Sequence, residues 1–427
     1  MKGKTFLMAM GVLFLALTVA ILPFIGACAP EEVAPPPEEA PPEEAPPPAP
    51  PAPETVKIGA VVSLTGPTEA QGAQTEAGYK IAIEDINRDG GVYVKEFDKK
   101  IPLELVSLDS ESNAEKAISR VETLISVHEV KVLVGCAQFQ AAPHITERDK
   151  VAGIAVATAS QAVHERGYKY WFTPLGTSPD EAKAMFDLIE SIPKAERPTK
   201  AVIFEEQTDW GVELSEYFQK ELEKRGVYTL TGVHKYSMLA KDYSPLILAA
   251  KAAGAEVLLS NPITPDGMTM MRQMKELDYN PKMIVMIRAP DDLPWGMALG
   301  PIGDYVILTT GWHNKLPFPG IAELNAEYQA EFGRPADALT GPGYASIQIV
   351  VDAIERAGTL DTEKIRDAIV ATDMMTVVGQ VKFRPNGTPI DPVQPVVQWQ
   401  NGAQELIWPP EYVTKPLAYP IPKWSER

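Results

Sequence analysis

Cysteine is scarce in this chain: its 427 residues include only Cys28 and Cys136. Cys28 ends an apolar leader and is expected to carry a lipid, so no pair remains for an internal disulfide in the mature protein. Cys136 ends the apolar run 132–136, where a lone thiol is more often buried and inert than nucleophilic. A disulfide framework and a cysteine nucleophile are therefore both excluded from what we expect of this chain.

Basic residues are in the minority, with 39 Lys and Arg against 57 Asp and Glu and a net charge of −18. No basic stripe is present, which excludes nucleic acid as a partner on electrostatic grounds. The five histidines are scattered along the chain. His144 and Glu147 have a spacing that suits two metal ligands, but no further ligands accompany them, so no metal site is predicted.

Nucleotide-binding and hydrolase motifs are missing as well. The first predicted strand is followed by TGP at 65–67 and not by G-x-G-x-x-G, and no phosphate-binding loop occurs elsewhere. The GPG run at 341–343 is interpreted as the start of a helix. No G-x-S-x-G elbow is present. The chain is therefore predicted not to be an enzyme, with no catalytic residues and no cofactor.

The first 28 residues have the pattern of a secretory signal. Lys2 and Lys4 give a basic start, residues 6–22 are almost wholly apolar, and small residues at 26–27 precede Cys28. This order is typical of signal peptides. The cysteine at the cleavage site resembles the bacterial lipobox, in which the thiol is acylated and becomes the new N-terminal residue. An uncleaved membrane anchor is the alternative, because the apolar run approaches spanning length.

Residues 29–55 form a tether composed almost entirely of Pro, Glu and Ala. Such a segment has too little apolar surface to offset the entropy of folding, so it is predicted to be disordered. Its proline runs favour extended polyproline II, which would hold the folded part of the chain away from a membrane. Leader and tether together predict an extracytoplasmic protein, lipid-anchored to the cell membrane or the outer membrane.

From Val56 onward, strand-like and helix-like segments alternate with short turns. The series begins at 56–64 and starts again at 201–204, about 145 residues later. Such alternation predicts parallel, doubly wound sheets, and the restart predicts two similar Rossmann-like lobes. Further strands are expected at 101–109, 130–135, 154–157, 231–236, 257–260, 283–287, 305–310, 378–383 and 396–400. Helices are expected at 74–87, 114–128, 211–225, 246–253, 265–277, 320–332, 341–357 and 361–371.

The order of these segments predicts a chain that passes three times between its lobes. The run WFTP at 171–174 is interpreted as the first crossing. The N-terminal lobe is predicted to comprise 56–175 and 311–376, and the C-terminal lobe 176–310 and 377–427. Three adjacent crossings would form a hinge.

Several motifs stand in the order found in type I periplasmic binding proteins, and in particular in the leucine/isoleucine/valine-binding group of ABC-transporter receptors. They are SLTGP at 63–67, DINRDGG at 85–91, DWG at 209–211, the helix GYA…DAIERAG at 343–358, and VG at 378–379 followed by NG at 386–387. The chain resembles this family over about residues 56–408. The resemblance implies two lobes that close on a ligand by a hinge motion.

The resemblance also implies ligand contacts at the carboxyl ends of the strands, where loops and helix N-termini are suited to hold a carboxylate. These contacts are Gln71, Phe139, Gln140, Ala159, Ser160 and Gln161 in the first lobe, and Trp210, Ile263 or Thr264, and Arg288 in the second.

The chain departs from the amino-acid pattern of that family. Phe139 stands where Ser or Thr is usual, and Gln161 stands where Thr is usual; in the family those hydroxyls hold an α-carboxylate. An acid that holds the α-ammonium group is matched only by Asp291 or Asp292, displaced by one or two residues. The family's amino-acid signature is therefore weakened here.

Three of the implied contacts have a competing interpretation. Phe139 and Trp210 would flank a flat or bulky ligand, but Phe139 also suits the core and Trp210 suits simple packing in its lobe. Arg288 would clamp a carboxylate with two hydrogen bonds, or would only cap a surface loop. The first set of interpretations favours an apolar, anionic ligand.

Together these features predict a solute receptor of an ABC importer, acting as a monomer with a permease and an ATPase as partners. Its ligand is expected to be a branched-chain amino acid, the family default, or an aromatic or aliphatic carboxylate. The alternative is a sensor of the same fold that reports a ligand to a signalling partner. Membrane contact is expected only through the lipid anchor.

Overall fold

Short apolar strands alternate with amphipathic helices through most of the folded chain. The computed structural model describes residues 51–291 and 294–427, so the predicted leader, Cys28, most of the tether and Asp292 lie outside the described residues. The strands are β1 Val56–Val62, β2 Val92–Val94, β3 Lys99–Ile101, β4 Leu103–Asp109, β5 Val132–Cys136, β6 Gly153–Val156, β7 Trp171–Phe172, β8 Lys200–Glu206, β9 Thr229–Tyr236, β10 Val257–Ser260, β11 Met283–Met286, β12 Val306–Thr309, β13 Asp373–Thr376, β14 Gly379–Lys382, β15 Val396–Gln400 and β16 Ala403–Trp408.

The helices connect these strands or pack on the sheets that the strands form. They are α1 Glu69–Arg88, α2 Ala114–Ser126, α3 Pro143–Asp149, α4 Gln161–His164, α5 Ser178–Ser191, α6 Asp209–Arg225, α7 Ser244–Ala252, α8 Thr264–Glu276, α9 Pro294–Leu299, α10 Ile321–Phe332, α11 Thr340–Ala357 and α12 Thr362–Val370. Within the described part of the chain, no helix combines the length and the apolar character needed to cross a bilayer.

Two sheets organise the described residues. The first has the order β4-β1-β5-β6-β7, and all of its neighbouring strands are parallel. The second has the order β16-β15-β12-β11-β10-β8-β9, in which β8 to β12 are parallel and β15 and β16 are added antiparallel. The parallel parts of the two sheets therefore have the same strand order, which confirms the predicted doubly wound α/β class.

Each sheet is covered by helices on both faces, as parallel sheets require. In the first lobe, α1 and α11 pack together over one face, and α2 packs against β1 and β4. In the second lobe, α5 and α6 pack together, with α6 on β8. Strand β1 is almost wholly buried because the sheet is sandwiched in this way.

Most elements begin and end within a few residues of their predicted bounds, and three differences concern the segments that precede or follow the predicted crossings. Trp171 and Phe172 form β7, the edge strand of the first sheet, so the crossing begins after them and not at residue 171. Helix α5, which follows the crossing, was not predicted. Strand β14 pairs with the unpredicted strand β13, and the predicted lobe boundary at 376/377 falls inside this hairpin.

The connecting segments between the sheets lie side by side. The backbone N–H of Thr310, just after β12, donates to the carbonyl of Pro395, just before β15, at 3.0 Å. The N–H of Ser178, at the start of α5, donates to the carbonyl of Ala159 in the first lobe at 2.7 Å. The lobe assignments of the crossing segments remain predictions, but their proximity is the arrangement that a hinge needs.

Candidate functional site

A cleft of about 400 Å³ opens between the two sheets. Its walls come from the segments that follow β1, β5 and β6 in one lobe and β8, β10, β11 and β12 in the other. Because these strands are parallel within each sheet, their carboxyl ends meet at one edge, and the two edges face the same space. This is the place where open α/β sheets bind ligands.

Six residues predicted from the sequence line this cleft: Gln71, Gln140, Ala159, Trp210, Ile263 and Arg288. The other four, Phe139, Ser160, Gln161 and Thr264, are not among its lining residues. Thr264 begins α8 immediately after Ile263, which does face the cleft. Asp291 also lines the cleft, whereas Asp292 lies outside the described residues.

Phe139 belongs to the core of the first lobe and not to the cleft. Its side chain is fully buried, and its ring lies 4.6 Å from that of Trp171, centroid to centroid. Glycines make room for it: a Cβ added to Gly135 would lie 2.6 Å from the Phe139 ring, and one added to Gly153 would lie 2.9 Å from it. Of the two predicted aromatic walls, the structure therefore places only Trp210 at the cleft.

Ser160 and Gln161 contact the second lobe through Glu213 of α6. The Ser160 hydroxyl donates to one carboxylate oxygen of Glu213 at 2.7 Å, and the N–H of Gln161 donates to the other at 2.7 Å. The N–H of Ala162 donates to the same carboxylate at 3.1 Å. Since α6 packs on the second sheet while these donors follow β6 of the first, Glu213 fastens the two lobes together.

We expect Glu213→Gln to favour an open arrangement of the lobes. The amide retains one acceptor oxygen but turns an N–H donor towards groups that also donate, and hydrogen bonds to a charged group contribute about 1.5–3 kcal/mol each. Small-angle X-ray scattering of the ligand-free protein should then show a larger radius of gyration. Glu216→Gln, on an exposed part of the same helix, is the control and should leave the scattering unchanged. Identical curves for the Glu213 variant and the wild type would contradict the fastening role.

Arg288 lines the cleft with its guanidinium already engaged. Its Nη2 donates to Glu206 Oε2 at 2.7 Å and to the carbonyl of Asn261 at 2.9 Å. The guanidinium carbon also lies 5.2 Å from the Trp210 ring centroid, within the range of a cation–π contact. Glu206 is fully buried, so Arg288 neutralises an internal carboxylate. This geometry argues against the predicted clamp for an anionic ligand.

Several enclosed polar atoms in the cleft wall have no hydrogen-bond partner among the described residues. They are Thr158 Oγ1, Glu181 Oε2, Trp210 Nε1, Thr309 Oγ1 and Gln394 Oε1. Most buried polar atoms in proteins are hydrogen-bonded, and each exception calls for an explanation. Because these polar atoms all lie in one cleft wall, we infer that a polar ligand or ordered water binds them in the functioning protein.

Glu181 is a strongly perturbed carboxylate in the cleft wall. It lies near the start of α5, and its surroundings raise its pKa to about 8. Burial is the largest cause, the neighbouring acids Asp291, Asp180 and Glu213 act in the same direction, and Arg288 opposes them. A carboxyl group with such a pKa exchanges its proton in the physiological range and is typical of functional sites.

Sequence reasoning missed both Glu181 and Glu206. Glu206 had a visible signal, because two consecutive acids end the buried strand β8, and charged residues are rarely buried unless they are paired. Glu181 had a weaker signal, since it lies in a helix that was not predicted. Its Asp180 neighbour forms a capping box with Thr177, and that T-x-x-D pattern marks the start of α5.

Potential metal ligands and the Cys136 thiol were also located in the structure. Within residues 51–291 and 294–427, no group of three or more His, Cys, Asp and Glu side chains is arranged to hold a metal ion. Cys136 is fully buried, as predicted, and burial raises the pKa of its thiol to about 11. A thiol in that state is not a nucleophile near neutral pH.

Comparison with known proteins places this architecture among solute receptors. A family model described as "Periplasmic binding protein" matches residues 55–404. Among curated proteins, the Leu/Ile/Val-binding protein homolog 7 of Brucella abortus (strain 2308) is 24% identical over 379 residues. That alignment covers 83% of this chain and 91% of the relative.

Solved structures show the same fold. The branched-chain amino acid transporter substrate binding protein LivJ from Streptococcus pneumoniae, in complex with isoleucine, has a TM-score of 0.72 at 18% identity, over 83% of this chain and 100% of that chain. An ABC-transporter solute binding protein from R. palustris, in complex with benzoate, has a TM-score of 0.70 at 15% identity, over 83% and 95%. At these identities the likeness concerns the fold and not the ligand.

Proposed function

This chain belongs to the periplasmic binding protein family, and we propose that it is the lipid-anchored solute receptor of an ABC importer. Its task is to capture a small organic ligand between two closing lobes outside the cytoplasm and to present it to a permease driven by an ATPase. The observation that carries this proposal is the cleft between the two sheets, whose wall contains several enclosed polar atoms without partners among the described residues.

The cleft supports a ligand with an apolar body and hydrogen-bonding groups. Trp210 and Ile263 supply apolar wall, and Gln71 and Gln140 supply amides that bind by hydrogen bonds. Arg288 is paired with Glu206, which disfavours the simple carboxylates considered from the sequence. Amino acids, the branched-chain ones among them, are the default class, because relatives and structural neighbours carry those names.

Delivery to the membrane rests on the leader and the tether. We propose that Cys28 is acylated and that residues 29–55 hold a monomeric two-lobe body within reach of the permease. The lobes are proposed to comprise 56–175 with 311–376 and 176–310 with 377–427. A protein of this kind binds and releases its ligand unchanged, so no catalytic role is assigned to any cleft residue.

We expect a thermal-shift screen of the full chain to identify a stabilising small molecule. The screen includes neutral and basic amino acids, alkyl amines and aromatic carboxylates. A ligand present at a hundred times its dissociation constant stabilises the folded protein by about 2.7 kcal/mol, which raises the melting temperature measurably. Titration calorimetry on each hit checks for one site per chain. If no compound shifts the melting temperature, the proposed function is overturned for these ligand classes.

A further inference from the structure

The cleft carries a surplus of negative charge. Among the described residues that line it, Glu181, Glu206, Asp209 and Asp291 are acidic and Arg288 is basic. Arg288 and Glu206 neutralise each other at 2.7 Å, and Asp209 is exposed at the start of α6. Glu181 is the acid of this set with an enclosed oxygen that has no partner among the described residues, and a zwitterionic amino acid, which adds no net charge, brings no surplus positive charge to it.

Glu181 is built into the wall without a partner of its own. Its side chain is 8% exposed, and Oε2 is enclosed without a hydrogen-bond partner in the described part of the chain. Leaving a buried carboxylate without a partner costs several kcal/mol, so proteins either pair such a group or keep it protonated. The position is therefore unfavourable for stability alone, and a ligand that pairs with Glu181 would account for it.

The groups that face Glu181 are mostly of its own sign. Asp180 lies beside it on α5, Glu213 approaches from α6, and Asp291 approaches from the turn after β11. Arg288, after the same strand, is the only base among these neighbours, and it is engaged by Glu206. The one base among these neighbours is thus already paired, and the acids around Glu181 attract a positive charge from solution.

The hydrogen-bonding atoms without partners in the described cleft wall also favour a ligand that donates hydrogen bonds. Gln394 Oε1 is an enclosed acceptor without a partner in the described structure, and the Trp210 indole N–H is an enclosed donor. Glu181 Oε2 is likewise enclosed and without a partner among the described residues, and the carboxyl group accepts through both oxygens once it has released its proton. The hydroxyls of Thr158 and Thr309 can act in either sense. A ligand that satisfies the acceptors must donate, and an ammonium group carries three donors and no acceptor.

We propose that the ligand is a small organic cation with more positive than negative charges, an alkyl diamine or a basic amino acid, and that an ammonium group of it binds Glu181. This inference rests on the proposed function and narrows its ligand class. Trp210 supplies an apolar wall for the alkyl part. Asp291 favours positive charge in the same cleft.

Proton exchange at Glu181 should make the affinity for the cation depend on pH. With a pKa of about 8, Glu181 holds a proton at neutral pH and must release it to pair with an ammonium group. Affinity for the cation should therefore rise roughly tenfold per pH unit up to about pH 8 and then level off. Alkyl ammonium groups remain charged in this range, since their pKa is about 10.4.

The test is titration calorimetry on the full chain with cadaverine, lysine, leucine and benzoate, between pH 6 and pH 9. We expect cadaverine or lysine to bind and the binding to release a proton, measured as a heat that depends on the ionisation enthalpy of the buffer. Glu181→Gln should weaken this binding at least tenfold and remove its pH dependence. Glu216→Gln, an exposed acid on α6 with 59% side-chain exposure, is the matched control and should change neither.

The other outcomes separate failure of the cationic-ligand proposal from failure of the proposed solute-receptor function. Binding of leucine or benzoate without cadaverine or lysine overturns the cationic ligand and leaves the solute-receptor function standing. A bound cation whose affinity is the same at pH 6 and pH 8, or unaffected by Glu181→Gln, overturns the role of Glu181. If none of the four probes binds, the inference fails and the broader screen decides the proposed function. The wild-type pH profile serves as the test even if the Glu181 variant folds poorly.

Discussion

Replacing Arg288 by methionine is expected to lower the free energy of unfolding by about 3 to 5 kcal/mol. The reason lies in Glu206. Its carboxylate is fully buried and accepts a hydrogen bond from Nη2 of Arg288 at 2.7 Å. Methionine keeps much of the apolar stem but leaves that carboxylate without its counter-charge in a low-dielectric site. Urea denaturation followed by circular dichroism measures the loss.

Two further variants separate the buried pair from a general charge effect. In the double variant Arg288→Met with Glu206→Gln, most of the stability should return, because no uncompensated charge remains. Lys235→Met is the surface control: Lys235 lies 3.6 Å from Glu205, the neighbour of Glu206, and is 67% exposed, so its loss should cost less than about 1 kcal/mol. If the Arg288→Met protein is instead as stable as the wild type but no longer binds an anionic ligand, Arg288 acts as a clamp for the ligand's carboxylate.

Replacing Gly72 by alanine is expected to destabilise the protein by about 3 kcal/mol. In an ordinary helix interior this exchange stabilises by up to about 1 kcal/mol, because alanine is the better helix former. Here a Cβ at position 72 would lie 1.9 Å from the carbonyl oxygen and 2.7 Å from the backbone nitrogen of Ser63. Backbone atoms cannot rotate away, so α1 must shift from the end of β1.

The effect should extend to the cleft as well as to stability. The Ser63 hydroxyl donates to Oε1 of Gln138 at 2.7 Å, and Gln138 lines the cleft, so a displaced Ser63 disturbs the wall. Gly226→Ala is the control, at a helix end with φ of 64° and no atom within 4 Å of an added Cβ. Its cost should be only about 1 kcal/mol, from the left-handed backbone. Equal urea midpoints for the two variants would refute the close contact.

The strands could be predicted well because their signal is local. β10 occupies the predicted residues 257–260, and β11 at Met283–Met286 begins at the predicted residue 283, since strands buried on both faces are short, nearly continuous runs of apolar residues. The same locality explains the failures. Trp171 and Phe172 read as a crossing because a two-residue edge strand is too short to show a period, and only its partner β6 identifies it.

The position and the contacts of individual site residues depend on partners that are remote in sequence. Phe139 was expected in the cleft, but the space left by Gly153 and the contact with Trp171 draw it into the core. The sequence leaves Arg288 open between a clamp for a ligand carboxylate and a cap of a surface loop, and in the structure it pairs with a carboxylate 82 positions away. A single sequence contains no record of such pairings.

By itself, the sequence determined the alternation of strands and helices, its repetition in two lobes, and the polar segments at the strand ends, because hydrophobic periodicity and turn chemistry act over a few residues. Only the tertiary structure decided which of those segments share a cleft and how their charges balance. It buried Glu181 without a partner in the described chain and paired Arg288 with Glu206. The physical reason is that burial and Coulomb energy depend on distances in space, which the fold sets between residues far apart along the chain.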